Sequence, residues 1–272
     1  MHLYHLKSLI VAIGLYALVA CDANNQQVEL TEQQKQIAQQ EQAEVLPFLN
    51  IQEINANLNV PSCGNKKCIE LDIQTITTQD PWLNEWIAGR QSKVISDQIR
   101  SEKSKSLQEA VNAYAKASQK WQKEFIKNKA YELQMDTKIA LQRNQYVLLQ
   151  VIVNTEQAGI KVKDRGYFYV ADRKLKKNLS VLDVVEPKKK RLLNEIVNTQ
   201  YTQWLSDQKL DPKKIMPKKI SWEQHDWFFD NEGIGIHFRA GEIAKDASQL
   251  DIFLSKAQTQ QVLRPKIFER MF

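Results

Sequence analysis

The run "YVLLQVIVNT", residues 146–155, limits the fold more than any other stretch of the chain. It is β-branched and nearly continuous in apolar residues, the pattern of a central strand. "GYFYVADRK" (166–174) follows as a second strand, with Tyr167 and Tyr169 on one face and Phe168 and Val170 on the other. Upstream, "IELDIQTI" alternates as a strand and leads into Asp80-Pro81, where Asp80 is placed to cap a helix and Pro81 suits its first turn. In that helix Trp82, Trp86, Ile87, Val94, Ile95 and Ile99 fall close to one face. A longer helix follows, with Leu107, Val111, Tyr114, Ser118, Trp121 and Phe125 at spacings of four and three. Two or three heptads are too few for a coiled coil, so this stripe is expected to pack on the protein's own sheet.

Downstream, "LSVLDVVEP" leads into a helix whose apolar side includes Leu193, Ile196, Val197, Tyr201 and Leu205. "SWEQHDWFFD" and "GIGIHF" read as strands and "AGEIAKDAS" as an irregular or short helical crossing. "LDIFLS" is a short strand, and a closing helix begins at about Lys256. Strands and helices are segregated rather than strictly alternating, which predicts an α+β fold: a mixed or antiparallel sheet with hairpins, packed against several helices. No internal repeat is visible.

Ahead of all this, Lys7 precedes an apolar run from Leu9 to Ala20, the short positive region and apolar core of a secretory signal. A bilayer-spanning helix needs roughly 20 apolar residues, more than this run supplies. Its end, Leu18-Val19-Ala20-Cys21, has the form of a lipobox with Cys21 as the lipid acceptor. Residues 1–20 are therefore expected to be a lipoprotein signal peptide. Cys21 then becomes the first residue of the mature chain, anchored on the periplasmic side of the cell envelope by acyl chains. Asp22 leaves the choice of inner or outer membrane open. Residues 21–50 are rich in Gln, Asn and Glu and read as a tether. Cys63 and Cys68 flank Gly-Asn-Lys-Lys, a turn composition, and a disulfide across that hairpin suits an exported chain. No further cysteine is left to complete a metal site there.

The net charge of +6 includes Lys7, so a chain beginning at Cys21 carries about +5. The basic clusters are "RKLKK" (173–177), "KKKR" (188–191) and "KKIMPKK" (213–219). An exported protein has little access to nucleic acid, so these read as solvated segments or contacts to anionic headgroups.

Residues 179–272 carry a resemblance. "LSVLDVV" and its helix, the hairpin with "NEGIGIHF", then "GEIAKDAS" and an apolar strand are similar to the RsiV-like family. That domain forms the extracellular part of a lysozyme-sensing anti-sigma factor and also accompanies some peptidoglycan deacetylase domains. Residues 51–178 look like the segment that usually precedes it, and the two can form one structural unit. Two departures are plain. Glu156-Gln157-Ala158-Gly159 stands where the family often has a glycine-glycine-alanine-histidine run, and Ala240-Gly241 where it usually has a tyrosine. No sigma-binding segment or transmembrane helix is read in this sequence, so a transmembrane anti-sigma factor is not expected. The resemblance implies a non-catalytic binding protein whose ligand is lysozyme or a peptidoglycan glycan. An accessory enzyme or structural factor in peptidoglycan modification is the alternative.

Little else in the sequence suggests catalysis. Beyond residue 21 only His225 and His237 remain, neither in a metal-ligand pattern, and no nucleophile elbow or phosphate loop occurs. No cofactor is implied. Asp226, Asp230, Glu232 and Glu242 are candidates for a local acidic patch. Trp222, Trp227, Phe228 and Phe229 form an aromatic-rich strand whose alternate members are expected in the core, leaving some of Trp222, Phe228 and His225 for an open face of the kind that anchors sugars or proteins. The candidate ligand-binding residues are Trp222, His225, Phe228, Asp230, Glu232, His237 and Glu242. In "FFDNEGIGIHF" the segment 230–233 reads as a hairpin turn, with Gly233 at a positive-φ position. Ile234, Ile236 and Phe238 then face the core, and Gly235 leaves a gap on the opposite face.

Overall fold

A computed structural model describes residues 46, 48–64, 66–102, 104–125, 127–207, 219–243 and 249–272. The expected leader, Cys21, most of the tether, residues 213–218 of the third basic cluster and residues 244–248 of the crossing lie outside the described residues.

Strand β1 (Gln52–Asn55) is followed by the two-residue ladder of β2 (Ser62–Cys63) and β3 (Lys66–Lys67), then by β4 (Ile69–Thr77). The disulfide forms between Cys63 and Cys68, with Cα atoms 5.2 Å apart. Cys68 sits beyond the ladder, since Cys63 pairs with Lys66, and it is buried beneath the first helices. Asp80 caps helix α1 (Pro81–Gln98) as its position suggests, accepting from Leu83 N at 3.1 Å. Helix α2 (Leu107–Glu124) is capped in the same way by Ser106. Its buried stripe is Ala110, Val111, Tyr114, Ala115 and Ser118, whereas Phe125, just past its end, is exposed.

Strands β5 (Tyr131–Arg143), β6 (Tyr146–Gln157) and β7 (Ile160–Asp172) form two long hairpins, and β8 (Lys177–Leu179) turns back on β7. The sheet order is β1-β4-β5-β6-β7-β8. Its pairs are antiparallel except β4 and β5, which are parallel. A parallel pair cannot be joined by a tight turn. The α1–α2 pair makes the crossover and thereby covers one face of the sheet.

The second half runs through α3 (Val181–Val184), a 3-10 turn at Pro187–Lys189 and α4 (Lys190–Asp207). It continues with β9 (Asp226–Phe229), β10 (Gly233–Phe238), β11 (Leu250–Ser255), α5 (Lys256–Val262) and α6 (Pro265–Met271). The last three strands form an antiparallel sheet ordered β11-β10-β9. Only Asp226–Phe229 of the expected long aromatic strand is extended. Trp222 and His225 close a turn ahead of it through a hydrogen bond from His225 N to Trp222 O at 3.3 Å. The α+β class is as the sequence predicts, and Leu46–Phe272 form one compact unit.

Two cores lie on opposite faces of the large sheet. Tyr167 and Tyr169 join the one under α1 and α2, with Leu83, Ile95, Tyr114, Leu133 and Val151. Phe168 and Val170 join the other, with Val197, Tyr201, Trp227, Ile234 and Phe238. The opposed directions expected for "YFYV" are therefore met by two separate layers.

Candidate functional site

The second core covers only part of its face, and the sequence of β6 records where it stops. Residues 146–149 are buried on both faces and read as a continuous apolar run. From Gln150 onward the buried positions alternate with partly exposed ones, Gln150, Ile152 and Asn154. The neighbouring strands alternate in step. Ile69 and Ile73 of β4 are buried while Glu70, Asp72 and Gln74 are exposed. Leu133, Met135 and Thr137 of β5 are buried while Gln134, Asp136 and Lys138 are exposed.

These exposed residues form an open, polar sheet face. Asp72 lies opposite Gln134, and Gln134 opposite Asn154, so one row crosses three strands and spans roughly 10 Å. Glu70, Glu132 and Glu156 form the next row. Like charges directly opposite one another are unfavourable on a sheet. The ends of this row are relieved by cations, Lys67 at 3.6 Å from Glu70 and Lys161 at 2.8 Å from Glu156. Two shallow depressions mark the surface, one of about 290 Å³ over Asp72, Asp136 and Asn154 and one of about 470 Å³ over Glu70, Asp72 and Glu132.

The β9–β11 sheet bounds this face. His237 stands at the border. Its Nε2 comes within 3.6 Å of where a Cβ on Gly166 would lie, and Ile152, which lines the first depression, is beside that same point. His237 is 1% exposed and packs edge-on against Phe168. It is the middle of a cross-strand row, opposite Asp226 on β9 and Asp251 on β11. His237 Nδ1 lies 2.5 Å from Asp251 Oδ1, whereas Nε2 is buried without a hydrogen-bond partner. A histidine oriented by a carboxylate is half of a general-base arrangement. No hydroxyl or thiol is hydrogen-bonded to Nε2 among the described residues, so the nucleophile half of such an arrangement is not seen.

Arg239 gathers the remaining charges. Its Nη1 donates to Asp226 Oδ2 at 2.9 Å, and its Nε to Glu242 Oε1 at 2.8 Å. Its guanidinium lies over the Tyr167 ring, 4.5 Å from the centroid. Burial pushes the Asp226 carboxyl above the usual carboxylate range, against the pull of Arg239 and of the Phe168 N–H. Burial acts in the same sense on Glu242, but the hydrogen bond to His225 and the Arg239 guanidinium outweigh it and hold that carboxyl at about 2. This network bolts the β9–β10 hairpin to β7.

The sequence-derived candidates separate accordingly. His225 and Glu242 meet in the Arg239 network, and Phe228 and His237 meet across Phe168. Asp230 and Glu232 lie at the far end of β10, about 16 Å away along the strand. There Asp230 Oδ1 accepts from Glu232 N and Gly233 N to close the turn. Trp222 is 2% exposed and belongs to the core, so it offers no ligand surface. The acidic patch expected from Asp226, Asp230, Glu232 and Glu242 does not assemble, because Arg239 engages two of its members and the turn uses a third. The acidic surface lies instead on β4 and β5.

Both glycines of "GIGIHF" need a different account from the one the sequence suggests. Gly233 is not at positive φ. A Cβ there would stand 1.8 Å from the Leu254 carbonyl oxygen, so close strand approach demands glycine. Gly235 leaves no gap, because the Phe228 ring fills that space and its Cζ would lie 2.0 Å from an added Cβ.

Fold and surface together define an α+β domain whose large sheet is packed against α1 and α2 on one face and covered over a smaller part of the other. Its structural neighbours are DUF3298 family proteins. One, from Pseudomonas aeruginosa PAO1, aligns with a TM-score of 0.62 at 15% identity, covering 82% of this chain and 97% of that one. Another, from Bacteroides fragilis NCTC 9343, aligns with a TM-score of 0.52 at 14% identity over the same shares. No protein-family model and no curated protein matches the sequence. Among the described residues no helix is long and apolar enough to cross a membrane, and no group of side chains is arranged to hold a metal ion.

Proposed function

We propose that the chain is a non-catalytic binding protein of the RsiV-like type, held on the periplasmic side of the cell envelope by a lipid on Cys21. Its open sheet face takes a basic macromolecule met at the cell wall, and lysozyme is the one to which the family resemblance points. The observation that carries this reading is the row structure of that face. Glu70, Asp72, Glu132 and Asp136 project from adjacent strands of a chain whose net charge is +6. Net charge alone disfavours a basic partner at long range, whereas a local field of opposite sign steers and orients it at short range. Flanking carboxamides, Gln134 and Asn154, supply donors and acceptors for the same partner.

The test is retention of hen lysozyme or of peptidoglycan fragments by an immobilised chain of residues 22–272. Lysozyme retained at low salt and released at about 0.5 M, where screening is short-ranged, supports the reading. Retention of peptidoglycan alone shifts the ligand to glycan. Retention of neither removes the binding reading. Turnover of peptidoglycan fragments that disappears in His237→Ala replaces it with an enzyme.

A further inference from the structure

The point where the chain enters the fold carries a second surface, remote in character from the acidic face. Leu49 is buried, and its carbonyl accepts from Gln79 N at 2.8 Å, which pins the entering chain beside the end of β4. One residue earlier, Phe48 is 82% exposed. Asp80, next to Gln79, holds Arg173 Nε at 2.9 Å, and the Arg173 side chain is fully buried. Arg173 begins the turn between β7 and β8, whose next residues are Lys174, Leu175 and Lys176. Asp172 Oδ1 accepts from Leu175 N at 3.0 Å and shapes that turn, while the Leu175 side chain is 67% exposed. Two contacts thus place Phe48 and Leu175 at the same end of the sheet.

That end is basic. Lys174, Lys176 and Lys177 are exposed around Leu175. Arg143 joins them through a row that crosses four strands, Arg143–Tyr146–Asp172–Lys177. Asp80 is engaged with Arg173, Asp172 inside the turn, and Asp183 with Lys177. Lys176 holds a left-handed φ of 49°, where asparagine or glycine is the easier choice. A leucine at the tip of a turn, between lysines, is equally poor turn chemistry for a merely solvated loop.

We propose that this end of the molecule docks on an anionic lipid bilayer, with Leu175 and Phe48 entering the interface and Lys176 and Arg143 facing the headgroups. Charge complementarity and the place where the N-terminal chain departs both favour a membrane over a protein partner. Twenty-four residues lie between Cys21 and Leu46, so an anchored chain permits the contact without enforcing it. The inference takes only its setting from the lipid-anchor reading and is independent of the ligand of the acidic face.

The test uses the chain of residues 22–272, which has no acyl acceptor, sedimented with vesicles of phosphatidylcholine alone or with one third phosphatidylglycerol. Binding is expected only to the anionic vesicles and is expected to fall with salt. Lys176→Gln with Arg143→Gln is expected to weaken it about fivefold per cation, roughly 25-fold together. Leu175→Ser and Phe48→Ser are each expected to weaken it severalfold without changing the melting temperature. Equal partition on both vesicle types, or unchanged binding in all of these variants, overturns the proposal. Lysozyme retention by the same variants separates the two surfaces. Variants that lose vesicles but keep lysozyme support two independent sites, and variants that keep vesicles after Asp72→Asn do likewise.

Discussion

Substituting Gly235 by alanine should destabilise the protein by an amount that truncating one neighbour restores. An alanine Cβ at this position would stand 2.0, 2.4 and 2.5 Å from three carbons of the Phe228 ring. Carbon atoms in contact sit about 3.5–4.0 Å apart, so the ring must withdraw by roughly 1.5 Å. It cannot move inward, since Phe168 lies 5.1 Å away between centroids. Overpacking of this kind costs about 1–3 kcal/mol. Phe228 is only half-buried, so Phe228→Ala should cost about 2 kcal/mol, below the figure for a fully buried phenylalanine. With the ring gone, the added methyl group has room, and alanine gains about 0.5–1 kcal/mol of strand preference over glycine. The double variant should therefore be no less stable than Phe228→Ala alone, a coupling of about 2 kcal/mol. Urea unfolding followed by tryptophan fluorescence measures this as a shift in midpoint at constant slope. Additive losses, or a Gly235→Ala protein as stable as the parent, would refute the packing described here.

Gly233→Ala should behave differently, because its clash is with the backbone carbonyl of Leu254; no side-chain truncation restores it, and a loss above about 3 kcal/mol is expected in the same titration. Arg239→Ala should cost about 3 kcal/mol by leaving Asp226 buried without its partner, and adding Asp226→Asn should recover part of that loss. Glu242 titrates below its ordinary value, so its stabilising share is present above about pH 4.5 and is lost as pH falls toward about 2. The stability gap between parent and Glu242→Gln should close across that window; Asp226, displaced upward, contributes with the opposite sign. Reduction of the Cys63–Cys68 bridge should lower stability by about 2 kcal/mol, and reductant should have no further effect on Cys63→Ser/Cys68→Ser.

Much of the layering is legible in the sequence. "YVLLQVIVNT" signals a central strand, and "YFYV" signals a strand with a core on each side. The Asp80-Pro81 boundary and the disulfide follow from local chemistry. Strand β5 is harder to see. "YELQMDTKIALQR" puts Glu132, Gln134, Asp136 and Lys138 on its outer face, and most of these residue types favour helices as readily as strands. What makes it a strand is tertiary: Leu133 and Met135 complete the core under α1 and α2, and Thr137 receives a hydrogen bond from Gln91 at 2.9 Å. The open face is hidden for the same reason, since its carboxylates come from strands some 60 residues apart. Arg239 is equally silent, because Asp226, Glu242 and Tyr167 reach it from separate parts of the chain. The glycine roles require the positions of Leu254 and Phe228, which no local pattern encodes.

Titration calorimetry of lysozyme into the chain of residues 22–272 tests most directly the proposal that the open acidic face binds a basic macromolecule. The parent should bind reversibly in the micromolar range at low salt. Asp72→Asn with Asp136→Asn should weaken binding about tenfold, from two exposed charges of about 0.7 kcal/mol each, and leave unfolding unchanged. Absence of heat with the parent, or equal affinity in the double variant, would contradict the account.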